Sequence, residues 1–215
     1  MNNKMNLNFN IITLLLVLTL LNCKNDNSFS DYKYTDKPIV LTCNDFNSKL
    51  YHEALYAFEN DILKFYSKTG KNVSLTQAYG NFVRNASYKR VKYEDVISAH
   101  TLEVFKALKN ENTLWDANNA KSHLNYNSSI VNCIANNIQD TALKTTFNAL
   151  VTTNSMSPKL FGAPLNSKYR TVIKDKYLAT YIALDLFYSK LFDIDFSKVD
   201  LDKPEPKVDF NKKPE

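Results

Sequence analysis

Between positions 42 and 192 apolar residues return every three or four places, the period of an α-helix. Phe46, Leu50, Ala54, Phe58, Ile62 and Phe65 make one stripe over about six turns. Thr42 with Asp45 opens this first helix as a capping pair, and Gly70 is its natural stop. Ser74 with Gln77 is a second capping box, and it starts a short helix carrying Leu75, Ala78, Tyr79, Phe82 and Val83. A third helix is predicted from about Lys92 to Lys109, with Tyr93, Ile97, His100, Val104 and Leu108 on one face. The asparagine-rich stretch 110–127 holds the sole tryptophan, Trp115, and reads as a long loop with a buried anchor. Ser128 or Ser129 caps a fourth helix bearing Ile130, Cys133, Ile134 and Ile138, and Asp140 opens a fifth with Leu143, Phe147, Leu150 and Val151.

Pro158, Gly162 and Pro164 exclude one long helix over 152–167, so this stretch is expected to be a loop with at most one helical turn. It is an unusually apolar loop, carrying Met156, Leu160, Phe161 and Leu165. The last helix, about 168–192, is apolar on two faces. Ile173, Tyr177, Tyr181, Leu184 and Tyr188 lie on one, and Val172, Ala179, Ile182 and Leu186 lie nearly opposite. A helix of that kind is buried among others. The expected fold is a single all-α domain over 42–195, a bundle of five to six helices around the C-terminal one. The end of the chain, 196–215, turns to Lys, Pro and Glu and is expected to be extended or disordered.

The N-terminus follows another pattern. Lys4 is the only charge before an apolar run from Ile11 to Leu21, too short for a spanning helix of about 20 residues. This is the form of an export signal. Leu20-Leu21-Asn22-Cys23 then resembles the lipobox of bacterial lipoproteins, with Asn22 fitting the looser box of spirochaetes and Bacteroidetes. The resemblance implies removal of residues 1–22 and lipidation at Cys23. It also implies a membrane as partner through that anchor. Residues 23–41 then form a polar, lipidated tether. Lys24 stands where an inner-membrane retention signal would place Asp, so the outer membrane is the expected address, periplasmic-facing or surface-exposed.

Composition narrows function without naming it. Removing the signal takes one of 27 basic residues and leaves 26 against 22 acidic, a net of +4. Those charges are dispersed, without the clusters that bind nucleic acid. Three glycines in the whole chain argue against phosphate loops and turn-rich β-sandwiches. With Cys23 acylated, Cys43 and Cys133 remain, and outside the cytoplasm they are expected to pair.

Motifs for chemistry fail one by one. His52-Glu53 begins the zinc pattern H-E-x-x-H, but Tyr56 replaces the second histidine, and the pair reads as solvated surface. His100 reads as a hydrogen-bonded core histidine, and His123 has no readable partner. Thr69-Gly70-Lys71 lacks the upstream glycine and the following Ser or Thr of a phosphate loop. Asp193, Asp195 and Ser197 begin a calcium loop that Lys198 and Pro204 do not complete. Asp185 interrupts the last helix and projects onto a narrow polar stripe with Lys174 and Ser189. Asp140-Thr141-Ala142 resembles the short O-glycosylation motif of Bacteroidetes. No catalytic residue, metal or cofactor is expected. The leading expectation is a non-catalytic module that binds a protein partner in the envelope or outside the cell. The alternatives are a carrier or enzyme for an apolar ligand and an immunity or inhibitor lipoprotein. Phe161 and Leu160 of the apolar loop, with Tyr177 and Tyr181 of the last helix, are the expected contact residues.

Overall fold

In the computed structural model, residues 29–43, 47–67, 72–199 and 201 are described. The chain divides into two units, Met1–Ser30 and Asp31–Glu215. Cys23, with the whole signal and lipobox, lies outside the described residues, as do Asp45, Gly70 and the tail beyond Leu201.

The second unit is all-α. Its helices are α1 (Ser48–Ser67), α2 (Leu75–Ser87), α3 (Tyr93–Val96), α4 (Ala99–Leu108), α5 (Ser129–Asn137), α6 (Thr141–Thr152), α7 (Pro158–Lys168) and α8 (Lys176–Tyr181). α8 runs on without a break into a π-helix, Ile182–Phe187, and then a 3-10 segment, Tyr188–Asp193. Among the described residues the one β feature is an isolated antiparallel bridge between Trp115 and Leu124.

Local chemistry sets most helix starts. Ser74 and Gln77 form the reciprocal capping box. Ser128 and Asp140 cap α5 and α6 through their side chains, each satisfying an otherwise free amide. α1 begins at Ser48, six residues later than the Thr42 start expected, with Asn47 Oδ1 accepting from the Leu50 amide at 3.2 Å. The expected 92–109 helix is two helices. Ser98 breaks it, capping α4 through its side chain while its own amide donates to the buried Asp61 carboxylate at 2.9 Å.

The largest departure is α7, helical across the stretch expected to be a loop. Ser157 caps it and Pro158 occupies its first turn, where a missing N–H costs nothing. Pro164 removes one bond to the carbonyl of Leu160, whose residue is exposed, so water can satisfy that group. Gly162 faces α2 closely: a Cβ there would stand 2.3 Å from Ser87 Oγ. The glycine thus reads as a close-approach residue, not a breaker.

The C-terminal helix is central, as its two apolar faces require. Every residue from Leu178 to Ser189 is buried. It starts at Lys176, later than expected, because Asp175 caps it through the Leu178 amide at 3.0 Å. Around it Phe58, Phe82 and Phe187 form one ring cluster, and Phe147, Phe161 and Tyr181 form another. Cys43 and Cys133 are disulfide-bonded with Cα atoms 6.2 Å apart, joining the stretch before α1 to α5.

Candidate functional site

Of the residues expected to meet a ligand or partner, two are core, one is half-buried and one is exposed. Phe161 and Tyr181 are both fully buried, with ring centres 5.5 Å apart, and each meets Phe147 edge-on. Leu160, one position from Phe161, is 53 % exposed. Tyr177 is half-buried, and its hydroxyl lies 2.9 Å from Thr42 Oγ1. It therefore fastens the stretch that leads to the Cys43 disulfide.

Two acidic sites were hidden from the periodic reading. The first is Asp185. Instead of reaching a polar stripe it is fully buried in the π segment. Ser189, expected on the same stripe, is buried with it, because the loop that carries Ser122 and Tyr126 covers this side of the helix. Its Oδ1 accepts from Ser122 Oγ at 2.5 Å and from the Tyr126 hydroxyl at 2.9 Å. Its Oδ2 accepts from the Tyr181 hydroxyl at 2.7 Å. Ser122 and Tyr126 come from the 110–127 loop, so this carboxylate ties the loop to the central helix. Burial raises the Asp185 pKa above its ordinary value. The three hydroxyls, with Lys190 at greater range, pull the other way without cancelling that rise. Tyr126 and Tyr181 are in turn held protonated by burial and by the Asp185 charge.

The second site centres on Glu53, expected at the surface but fully buried. Its two oxygens accept from the consecutive amides of Lys33 and Tyr34 at 2.8 and 3.2 Å. His100 Nε2 lies 2.7 Å from Glu53 Oε1, and His100 Nδ1 lies 3.2 Å from Asp31 Oδ2. The core reading of His100 holds in that its side chain is 9 % exposed and hydrogen-bonded. His52 is half-buried and its Nε2 donates to the Tyr34 carbonyl at 2.7 Å. The His52-Glu53 pair is therefore not solvated surface: both residues grip the chain between 31 and 38. A carboxylate with four acceptor positions suits this task, since two backbone N–H groups and an imidazole can share it.

Further acids on α1 are used in the same way. Glu59 Oε1 accepts from Lys176 Nζ and from the Tyr79 hydroxyl, both at 2.9 Å, joining α1, α2 and α8. Burial raises the Asp61 pKa, against hydrogen bonds from Thr101 and Ser98.

Among the described residues no group of three or more His, Cys, Asp or Glu side chains could hold a metal ion. No described helix is long and apolar enough to cross a membrane. His123 Nε2 meets Asp193 at 3.1 Å on the surface, and Asp195 accepts from the Ser197 amide in a short turn. An open recess of about 250 Å³ lies beside α2, lined by Val73, Gln77, Gly80, Asn81, Arg84 and Tyr169. No protein family, no curated protein and no solved structure matches this chain.

Proposed function

We propose that this chain is an exported lipoprotein, anchored by acyl groups on Cys23 at the outer membrane, whose helical domain binds a protein partner without chemistry of its own. The observation that carries the reading is the apolar run Ile11–Leu21 after a lone lysine, ending at Leu20-Leu21-Asn22-Cys23. The Cys43–Cys133 bond supports it, because disulfides persist outside the reducing cytoplasm. A protein-binding role is favoured over carriage of an apolar ligand by the packing of Phe147, Phe161 and Tyr181 against one another, where a carrier would keep space. Of the four expected contact residues, Leu160 offers the most exposed side chain, and Tyr88 and Ile39 are also exposed apolar groups.

Cys23→Ala tests the anchor. The variant should stay unprocessed or leave the membrane fraction, because durable anchoring rests on more than one acyl chain at about 0.8 kcal/mol per buried CH₂. Normal maturation and detergent-phase partitioning of the variant would remove the lipoprotein reading. Pull-down of the tagged protein from its own envelope tests the binding role. A partner lost on Leu160→Asp but kept in a variant of a distant surface residue is the expected result. A small apolar molecule co-purifying in place of a protein would favour the carrier.

A further inference from the structure

The stretch 31–43 is held to the bundle in two different ways. At its C-terminal end Val40 and Leu41 are 3 % and 2 % exposed, Thr42 meets Tyr177, and Cys43 is covalently tied to Cys133. From 31 to 39 no residue is buried, and Ile39 is 76 % exposed. This part is held by main-chain hydrogen bonds and by the Asp31 carboxylate, 3.2 Å from His100 Nδ1. Glu53 takes the amides of Lys33 and Tyr34, His52 takes the Tyr34 carbonyl, and the Tyr56 hydroxyl donates to the Pro38 carbonyl at 2.9 Å. The Tyr34 ring adds contacts with Tyr56 and His100 at centre distances of 6.1 and 6.0 Å.

Segments with little buried apolar surface open locally at far lower free energy than a core. Opening this one would also leave few groups stranded. The strap itself covers Glu53, so water can replace the two amides when it lifts, and His100 Nε2 stays in place. The boundary is sharp, between exposed Ile39 and buried Val40.

We propose that residues 31–39 are a releasable strap, hinged at Val40 and latched by Glu53, His52 and Tyr56, which sets the length of chain between the lipid anchor and the bundle. The change of reach rests on the Cys23 reading; the strap does not. With the strap docked, residues 24–30 link Cys23 to it. Release adds nine residues, 31–39, to the chain between Cys23 and the bundle, about 30 Å when extended at 3.3–3.6 Å each. The bundle would thus work in two reaches from the same anchor.

Hydrogen exchange of the full mature protein in detergent micelles, read by mass spectrometry, tests the strap. The amides of Lys33 and Tyr34 should be protected, yet exchange at least 100-fold faster than those of 54–62 in α1. Glu53→Gln should speed exchange in 31–38 a further tenfold or more while α1 and α8 stay as in the wild type. Should that variant fail to fold, Tyr56→Phe gives the same readout in a milder form. Strap amides exchanging as slowly as α1, unprotected from the start, or accelerating only together with the whole bundle would each overturn the strap. In vesicles carrying a dansyl lipid, energy transfer from Trp115 should fall in Glu53→Gln. Equal transfer in both proteins would overturn the change of reach. An unacylated Cys23 would contradict the proposed function and leave the exchange result standing.

Discussion

Asp185 and Glu53 are both fully buried carboxylates, but buried side chains satisfy the first and, in the main, the backbone of an exposed stretch satisfies the second. Asp185 is enclosed by three side-chain hydroxyls, two from a loop and one from its own helix, with no strap to lift. Glu53 is satisfied by one imidazole and by the backbone of an irregular, largely exposed stretch. Burying a charge is costly unless donors are supplied, and in both places they are. The source of the donors decides the consequence. Donors inside the core make the carboxylate a rivet, and donors on a surface strap make it a latch.

The largest expected effect is at the hinge that separates the latch from the bundle. Replacing Cys133 with Ser opens a closure spanning 90 residues. In the chain-entropy model this costs up to about 4–5 kcal/mol, and urea denaturation measures it. A loss under about 1 kcal/mol would mean that Val40, Leu41 and the Thr42–Tyr177 contact pin the hinge without the bond.

Next is the ring cluster beside the rivet. Phe161→Ala removes a fully buried ring and should cost about 3–5 kcal/mol. At roughly 2–4 °C per kcal/mol for a chain of this size, melting should fall by about 10 °C. A variant as stable as the wild type would return Phe161 to the list of surface contacts.

Asp185 gives a finer discrimination. Asp185→Ala leaves three buried hydroxyls without their acceptor, at about 1–3 kcal/mol for each that finds no other partner. Asp185→Asn should lose much less. Its carbonyl can accept from Ser122 and Tyr126, and its amide can donate to Tyr181, whose hydroxyl lies 3.8 Å from Met156 Sδ as an alternative acceptor. The pH dependence then has a definite sign. Because the folded pKa is raised above 3.8, the folded chain keeps this proton where the unfolded chain has lost it. The site therefore favours the folded state less as pH rises from 3.8 to the raised value. Wild type should lose stability relative to Asp185→Asn from about pH 4 upward and then level off. A gap moving the other way would mean that the three hydroxyls outweigh burial.

Much of the bundle was legible because its signals are local. The Ser74–Gln77 box, the Ser128 and Asp140 caps and the two-faced final helix each sit within a few residues of what they specify. The Cys43–Cys133 pair was legible by arithmetic on three cysteines and an expected export from the cytoplasm. The rivet and the latch were not. A periodic reading assigns polar residues to the outside, and the partners that overrule it for Asp185 lie 63 and 59 positions away, at Ser122 and Tyr126. The strap has no period at all, so the same polar composition that read as a tether also serves as a set of backbone donors and acceptors. α7 is not legible because Pro158, Gly162 and Pro164 each read locally as breakers; in the fold one falls in the first turn, one meets Ser87, and one frees the carbonyl of an exposed residue, Leu160.

The N-terminus of the protein in its envelope decides between an anchored and an unanchored bundle. Intact-mass and peptide mapping of protein isolated from its native envelope, without reductant, reads this directly. The expected species begins at Cys23, carries more than one acyl chain on that residue, and yields a Cys43–Cys133 linked peptide. A mature chain that begins elsewhere, or one with an unmodified Cys23 thiol, would contradict the anchored reading.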